Sequence, residues 1–324
     1  MTTTQHTLGI DIAKASYQVS LKRPDGKRRQ KRVRNTPAGH AALIEWLQRH
    51  AGAPVHACLE STGTYGEEVA TALVEAGHQV SMVNPAAVKA FAQSQLRRTK
   101  TDGVDADVLA DFCAAMTPAL WTPWPVEVRA LQGLVRRRDA VQDMLTQERN
   151  RQQAGALTAS VAASLARVVE VLEAELDDLD RQIHDHVDRH PTLRTQRDLL
   201  STIPGIGPAT AARLLTECRA ITGFETARAY AAFAGLVPRD RQSGQRRPRA
   251  HLSKLGSPRL RYAMYFPALT AMRVQGPVQA FSARLRAAGK PKMVVVAAVM
   301  RKLLHIVYGV LKHQRAFDPQ ALGA

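Results

Sequence analysis

A carboxylate stands inside what is otherwise an apolar strand. Residues 7–21, TLGIDIAKASYQVSL, read as a strand, a tight turn and a second strand, and Asp11 falls where an alkyl side chain is expected. Glu60 repeats the pattern at the end of VHACLE. Burying an unpaired carboxylate is costly, so two of them call for a metal ion or a cation. The bland alternative for Asp11 alone is a turn or strand edge.

The remaining elements of this half alternate. KRRQKRVRNT predicts a third, basic strand; PAGHAALIEWLQRHAG predicts a helix started by Pro37 and stopped by Gly52. PVHACLES predicts a strand, YGEEVATALVEAG a helix closed by Gly77, and HQVSMVNP another strand. Strands first, then strand and helix in turn, predict an α/β domain with a mixed sheet over residues 1–115. Three prolines, at 118, 123 and 125, mark its boundary.

Residues 116–191 read as helical. Leu165, Val169, Leu172, Leu176, Leu179 and Ile183 step by 4, 3, 4, 3 and 4, a heptad seam. The seam is read as a contact between protomers in preference to an internal hairpin, and QQAGALTASVAAS as a helix break. From 192 to 324 two apolar helical segments flank Pro204-Gly205-Ile206-Gly207-Pro208, a basic loop covers 238–261, and apolar helices follow to Val310.

Charge narrows the function. The chain has 324 residues and carries 45 Lys and Arg against 28 Asp and Glu, a net charge of +17 that suits a polyanion. Eight cations lie between Lys22 and Arg34 against the single acid Asp25. Cys58, Cys113 and Cys218 lie far apart in sequence, which predicts neither a zinc ribbon nor a disulfide framework. The N-terminus lacks the pattern of a signal peptide, and the longest apolar run, MVVVAAVM, is too short to span a bilayer. These features predict a cytoplasmic protein with no membrane partner.

The strongest chemical signal joins Asp11 and Glu60 to RTKTDGVDADVLADF. Asp102 and Asp105 are three apart at a helix start, so both project from one face. With Asp11 and Glu60 on neighbouring strands they would form an oxygen cage for Mg²⁺ or Mn²⁺, which activates oxygens at a phosphate. Asp107 and Asp111 are expected as solvated helix surface.

Three further features suit nucleic acid. Gly205 and Gly207 allow a sharp turn before a helix whose amides can hold a phosphate, although a ligand-free turn has the same spelling. Arg239, Arg241, Arg246, Arg247, Arg249, Lys254, Arg259 and Arg261 crowd the loop with Asp240 as its one acid. Lys100 precedes the acidic helix. Ser243, before Gly244, could act as a nucleophile among these guanidiniums; Ser253 and Ser257 are equal candidates by residue type, and an ordinary turn serine is the commoner case.

Together these motifs resemble a family. GIDIAK, LESTGTYG, VNPAAVKAFAQS and KTDGVDADVLADF, followed by IPGIGPATA, FAGLVPR, QSGQRR, HLSKLGSPRLRYAMY and KLLHIVYGVLK, resemble DEDD transposases of the IS-one-ten class of bacterial insertion sequences, with their Piv-type invertase relatives. The resemblance spans nearly the whole chain. It implies an RNase H-like (RuvC-like) first domain with the tetrad Asp11, Glu60, Asp102 and Asp105. It further implies a C-terminal transposase domain with a nucleophilic Ser243, while the heptad seam and the Pro-Gly turn themselves predict a helical coiled-coil middle and a helix-hairpin-helix-like element in a mainly α last domain. Donor and target DNA, a structured guide (bridge) RNA and a homo-oligomer, dimeric or tetrameric on DNA, are the implied partners. The expected activity is site-specific recombination through phosphoserine. A metal-only nuclease, a guide-free invertase and a non-catalytic binder are the rivals.

Overall fold

The computed structural model describes residues 5–60, 65–95, 102–217, 221–239, 251–253 and 255–320; side chains are described for all of these except Asp102, Thr222, Arg239 and His251. Two compact units, 1–123 and 124–324, each have their own core.

The first unit is a five-stranded mixed sheet covered on both faces. β1 (Thr7–Ile12), β2 (Ser16–Lys22) and β3 (Arg28–Arg34) form an antiparallel meander. Asp25-Gly26 turns the second hairpin, with Gly26 at φ +81°. α1 (Pro37–Ala51) follows, capped by Thr36 and ended by Gly52 in the left-handed conformation. It carries the chain to β4 (His56–Glu60), which lies parallel to β1. α2 (Glu67–Glu75) then leads to β5 (Gln79–Val83), parallel to β4, so the sheet order is β3-β2-β1-β4-β5. This mixed α/β arrangement is the one expected from the sequence and is consistent with an RNase H-like fold.

Alternation along the strands builds two separate cores. Leu8, Ile10, Ala57 and Leu59 pack with Leu43, Trp46 and Leu47 of α1 and Val69 and Leu73 of α2. On the other face α3 (Pro85–Ser94) and α4 (Asp102–Met116) pack Val88, Val108, Leu109, Phe112 and Cys113 around Cys58 and Val83.

The second unit is mostly helical. α5 (Val126–Gln153) and α6 (Ala159–Arg189) form a hairpin broken at 154–158, where the sequence predicts the break. The heptad seam differs from expectation. Leu176 and Leu179, flanked by Val169 and Leu172, pack against Val141 and Leu145 of α5, so the seam is used within one chain. An identical spacing serves either partner, and here the adjacent antiparallel helix is already covalently at hand. Arg138–Asp180 and Arg149–Glu173 ion pairs flank it.

α7 (Pro191–Ser201) and α8 (Pro208–Glu217) enclose the Pro-Gly turn. α9 (Ala227–Phe233), a two-residue ladder of β6 (Pro238–Arg239) with β7 (His251–Leu252), α10 (Pro258–Ala271), α11 (Pro277–Ala287) and α12 (Lys292–His313) complete the unit. α12 is 22 residues long and apolar enough to cross a membrane by length and composition, unlike the eight-residue run read from sequence. Its Val295, Val299, Leu303 and Val307 are fully buried in the second core, which accounts for its apolarity.

Candidate active site

The carboxylates are placed by strand register. β1 and β4 pair in parallel through Ile10 and Leu59, so the next residues, Asp11 and Glu60, come level at the strand ends. Asp11 shares the sheet face of Gly9, and Glu60 that of Cys58, which is the face covered by α4. Register also fixes the helix direction. Lys22, opposite Thr7, bonds Asp111, and Ser20, opposite Gly9, bonds Asp107. α4 therefore runs antiparallel to β1, and its first turn comes to the level of Asp11.

Gly9 makes this approach possible. A Cβ there would overlap the Ala106 carbonyl oxygen, the Ala110 nitrogen and the Leu109 side chain. Asp105 lies one turn before Leu109, on the same helix face, and Asp102 lies three residues earlier at the helix start. Asp11, Glu60 and Asp105 are all half-buried, so they remain reachable by a hydrated ion. Three hard oxygen donors from three elements thus lie toward one sheet end, residue types that a divalent metal ion can take.

Asp107 and Asp111 are not solvated surface. Ser20 Oγ donates to Asp107 Oδ1 at 2.5 Å, with Gln30 Nε2 at 3.0 Å. Lys22 Nζ and Arg28 Nη2 donate to Asp111 at 2.8 and 2.5 Å. Burial alone would push the Asp111 carboxyl up; the two cations outweigh it and hold it below the usual carboxylate range. Lys22 and Arg28, expected among the cations that hold nucleic acid, therefore face α4. Sequence reasoning missed this network because it depends on β2–α4 proximity. The one signal was chemical: four aspartates near a strand of unbalanced positive charge.

The C-terminal expectations divide. Lys100, Arg241, Ser243, Arg246, Arg247, Arg249 and Lys254 lie outside the described residues. Arg239 lies in β6, directly opposite His251 of β7. Arg259 is exposed on the first turn of α10. Arg261 is half-buried, and its Nη1 donates to the carbonyls of Ala234 and Gly256 at 2.9 and 3.3 Å. Burial lowers its pKa below the usual value. Ser257 caps α10, its Oγ accepting from Leu260 N, and Ser253 Oγ accepts from Leu255 N.

The two turn glycines also separate. Gly205 has φ +87°, and a Cβ there would press on Pro267 O and Ala271 N of α10, so packing demands it. Gly207 is exposed before α8 with open space around its Cα.

Comparison with known proteins agrees with both halves. Residues 8–160 match a family model of DEDD transposases of the IS110 type, and residues 197–283 match the model of transposases of the IS116/IS110/IS902 family. A pilin gene-inverting protein of Moraxella bovis is 34% identical over 315 residues, covering 96% of this chain and 97% of its own. A probable family 20 transposase of Pseudomonas aeruginosa is 27% identical over 349 residues, covering 96% and 98%. An insertion element IS116 protein of Streptomyces clavuligerus is 27% identical over 161 residues, 49% of this chain and 39% of its own.

Proposed function

Because the chain belongs to the IS116/IS110/IS902 transposase family, whose members act on DNA as transposases or invertases, we propose that it cuts and rejoins DNA through a phosphoserine intermediate. Ser243 Oγ attacks a phosphodiester phosphorus, forming a seryl–phosphorus bond as the bond to a deoxyribose oxygen breaks; the serine proton ends on that oxygen. The ester keeps the bond energy, so attack by another strand's hydroxyl rejoins DNA without an external energy source. Asp11, Glu60, Asp102 and Asp105 would hold Mg²⁺ or Mn²⁺, which polarises the scissile phosphate when bound. Cations of the 239–261 segment, with Lys100, would neutralise phosphate charge.

The observation that carries this reading is the register of Asp11 with Glu60 at the end of the face covered by the acidic helix. The N-cap role of Ser257 and the bond that Ser253 Oγ accepts from Leu255 N favour Ser243 as the nucleophile. A structured guide RNA and a tetramer on DNA, implied by the family resemblance, and the cytoplasmic location expected from the sequence belong to the same proposal. Guide-free inversion is a second reading, favoured by the full-length similarity to the pilin gene-inverting protein.

The test is denaturing capture of protein–DNA adducts on donor and target DNA, with and without the structured RNA from the element. Ser243→Ala should abolish the adduct, and Asp11→Asn or Glu60→Gln should reduce its formation by about a hundredfold or more. Undiminished adducts in Ser243→Ala exclude the serine. Equal activity without RNA on a segment between inverted repeats establishes the invertase reading.

A further inference from the structure

Cys58 and Cys113 are 55 positions apart in sequence yet neighbours in the fold. Cys58 lies on β4, two residues before Glu60, and Cys113 lies on the last turns of α4. Cys113 donates its S–H to the His56 backbone carbonyl. A ring nitrogen of His56 and both sulfurs lie within 4.8 Å of one another. All three residues are buried, at 3%, 0% and 1% exposure.

The imidazole is already oriented. Ser81 Oγ donates its single proton to Pro118 O at 2.9 Å, so His56 Nε2, 2.8 Å away, must donate to Ser81. Nδ1 is then the nitrogen with a lone pair. An outer-shell partner that fixes a histidine tautomer is the usual companion of metal-bound imidazole.

We propose that His56, Cys58 and Cys113 form a site for a thiophilic d¹⁰ divalent cation of the zinc type, separate from the oxygen-rich site of the carboxylates. Sulfur and nitrogen donors select such an ion over Mg²⁺. Binding forms two metal–sulfur bonds and releases two thiol protons to solvent. Two thiolates and a dication sum to zero charge, which a buried apolar site tolerates far better than a net charge. The His56 carbonyl, 3.3 Å from Cys113 Sγ, offers a further donor on the same wall. The bound ion ties β4 to α4, the elements that carry Glu60 and Asp105.

The test uses the full chain stripped of metal and titrated with Cd²⁺. The expected result is thiolate-to-cadmium charge-transfer absorption that saturates at one ion per chain and persists in excess Mg²⁺. Cys218→Ser should leave it intact, whereas Cys58→Ser and Cys113→Ser should each roughly halve or abolish it. Absence of the band in folded wild-type protein overturns the site, as does its loss in Cys218→Ser or its persistence in both other variants. Should the buried substitutions prevent folding, the wild-type and Cys218→Ser titrations still decide. None of these readouts depends on DNA cleavage, so they stand or fall apart from the recombinase reading.

Discussion

At the scale of single residues, charge does two jobs on one helix. Asp105 lies in the first turns of α4, toward the sheet end of Asp11 and Glu60, while Asp111, a turn and a half later, takes Lys22 and Arg28. Replacing Asp111 by Asn should destabilise the protein by about 1–3 kcal/mol at neutral pH, because it leaves two partly buried cations short of an acceptor. The pH dependence has a definite sign. Asp111 titrates below its ordinary value in the folded protein, so its contribution is present above about pH 4 and fades as pH falls through the lowered value. Urea melts of wild type and Asp111→Asn should therefore converge in acid. Such pairing was illegible in the sequence, where only spacing along the helix was visible. The role of Asp11 was legible because a lone carboxylate in an apolar strand breaks a local pattern.

Single elements meet at glycines. Gly9→Ala would drive a methyl into the backbone of α4 and should cost at least about 3 kcal/mol, since neither β1 nor α4 can yield by a rotamer change. Calorimetry would show a lowered first transition or an insoluble product; an unchanged melting profile would contradict the close packing. Ser257→Ala should remove about 1 kcal/mol by uncapping α10, yet leave DNA adducts intact, in contrast with Ser243→Ala. Most strands and helices were readable from periodicity and caps, among them β3, α1 and the helices around Gly205. What periodicity cannot encode is the partner. The α6 seam reads the same whether it meets another copy or its own neighbour, and the fold chose α5.

For the molecule as a whole, the governing quantity is the net charge of +17. Nucleic-acid binding should weaken by about a thousandfold or more between about 50 and 200 mM salt, because each neutralised phosphate releases counterions. Fluorescence anisotropy with any long duplex measures this; a flat salt response would mean that the excess positive charge serves some other end. Division into two units with separate cores adds a second expectation: Asp111→Asn lowers the melting of the first unit and Gly205→Ala that of the second. Where β1 meets α4 at Gly9, main chain rests chiefly on main chain, with no Gly9 side chain to swell or shrink. That contact acts as a hard stop, not a cushion. Apolar residues elsewhere in the unit can exchange volume over generations while the gap between Asp11 and Asp105 keeps its gauge.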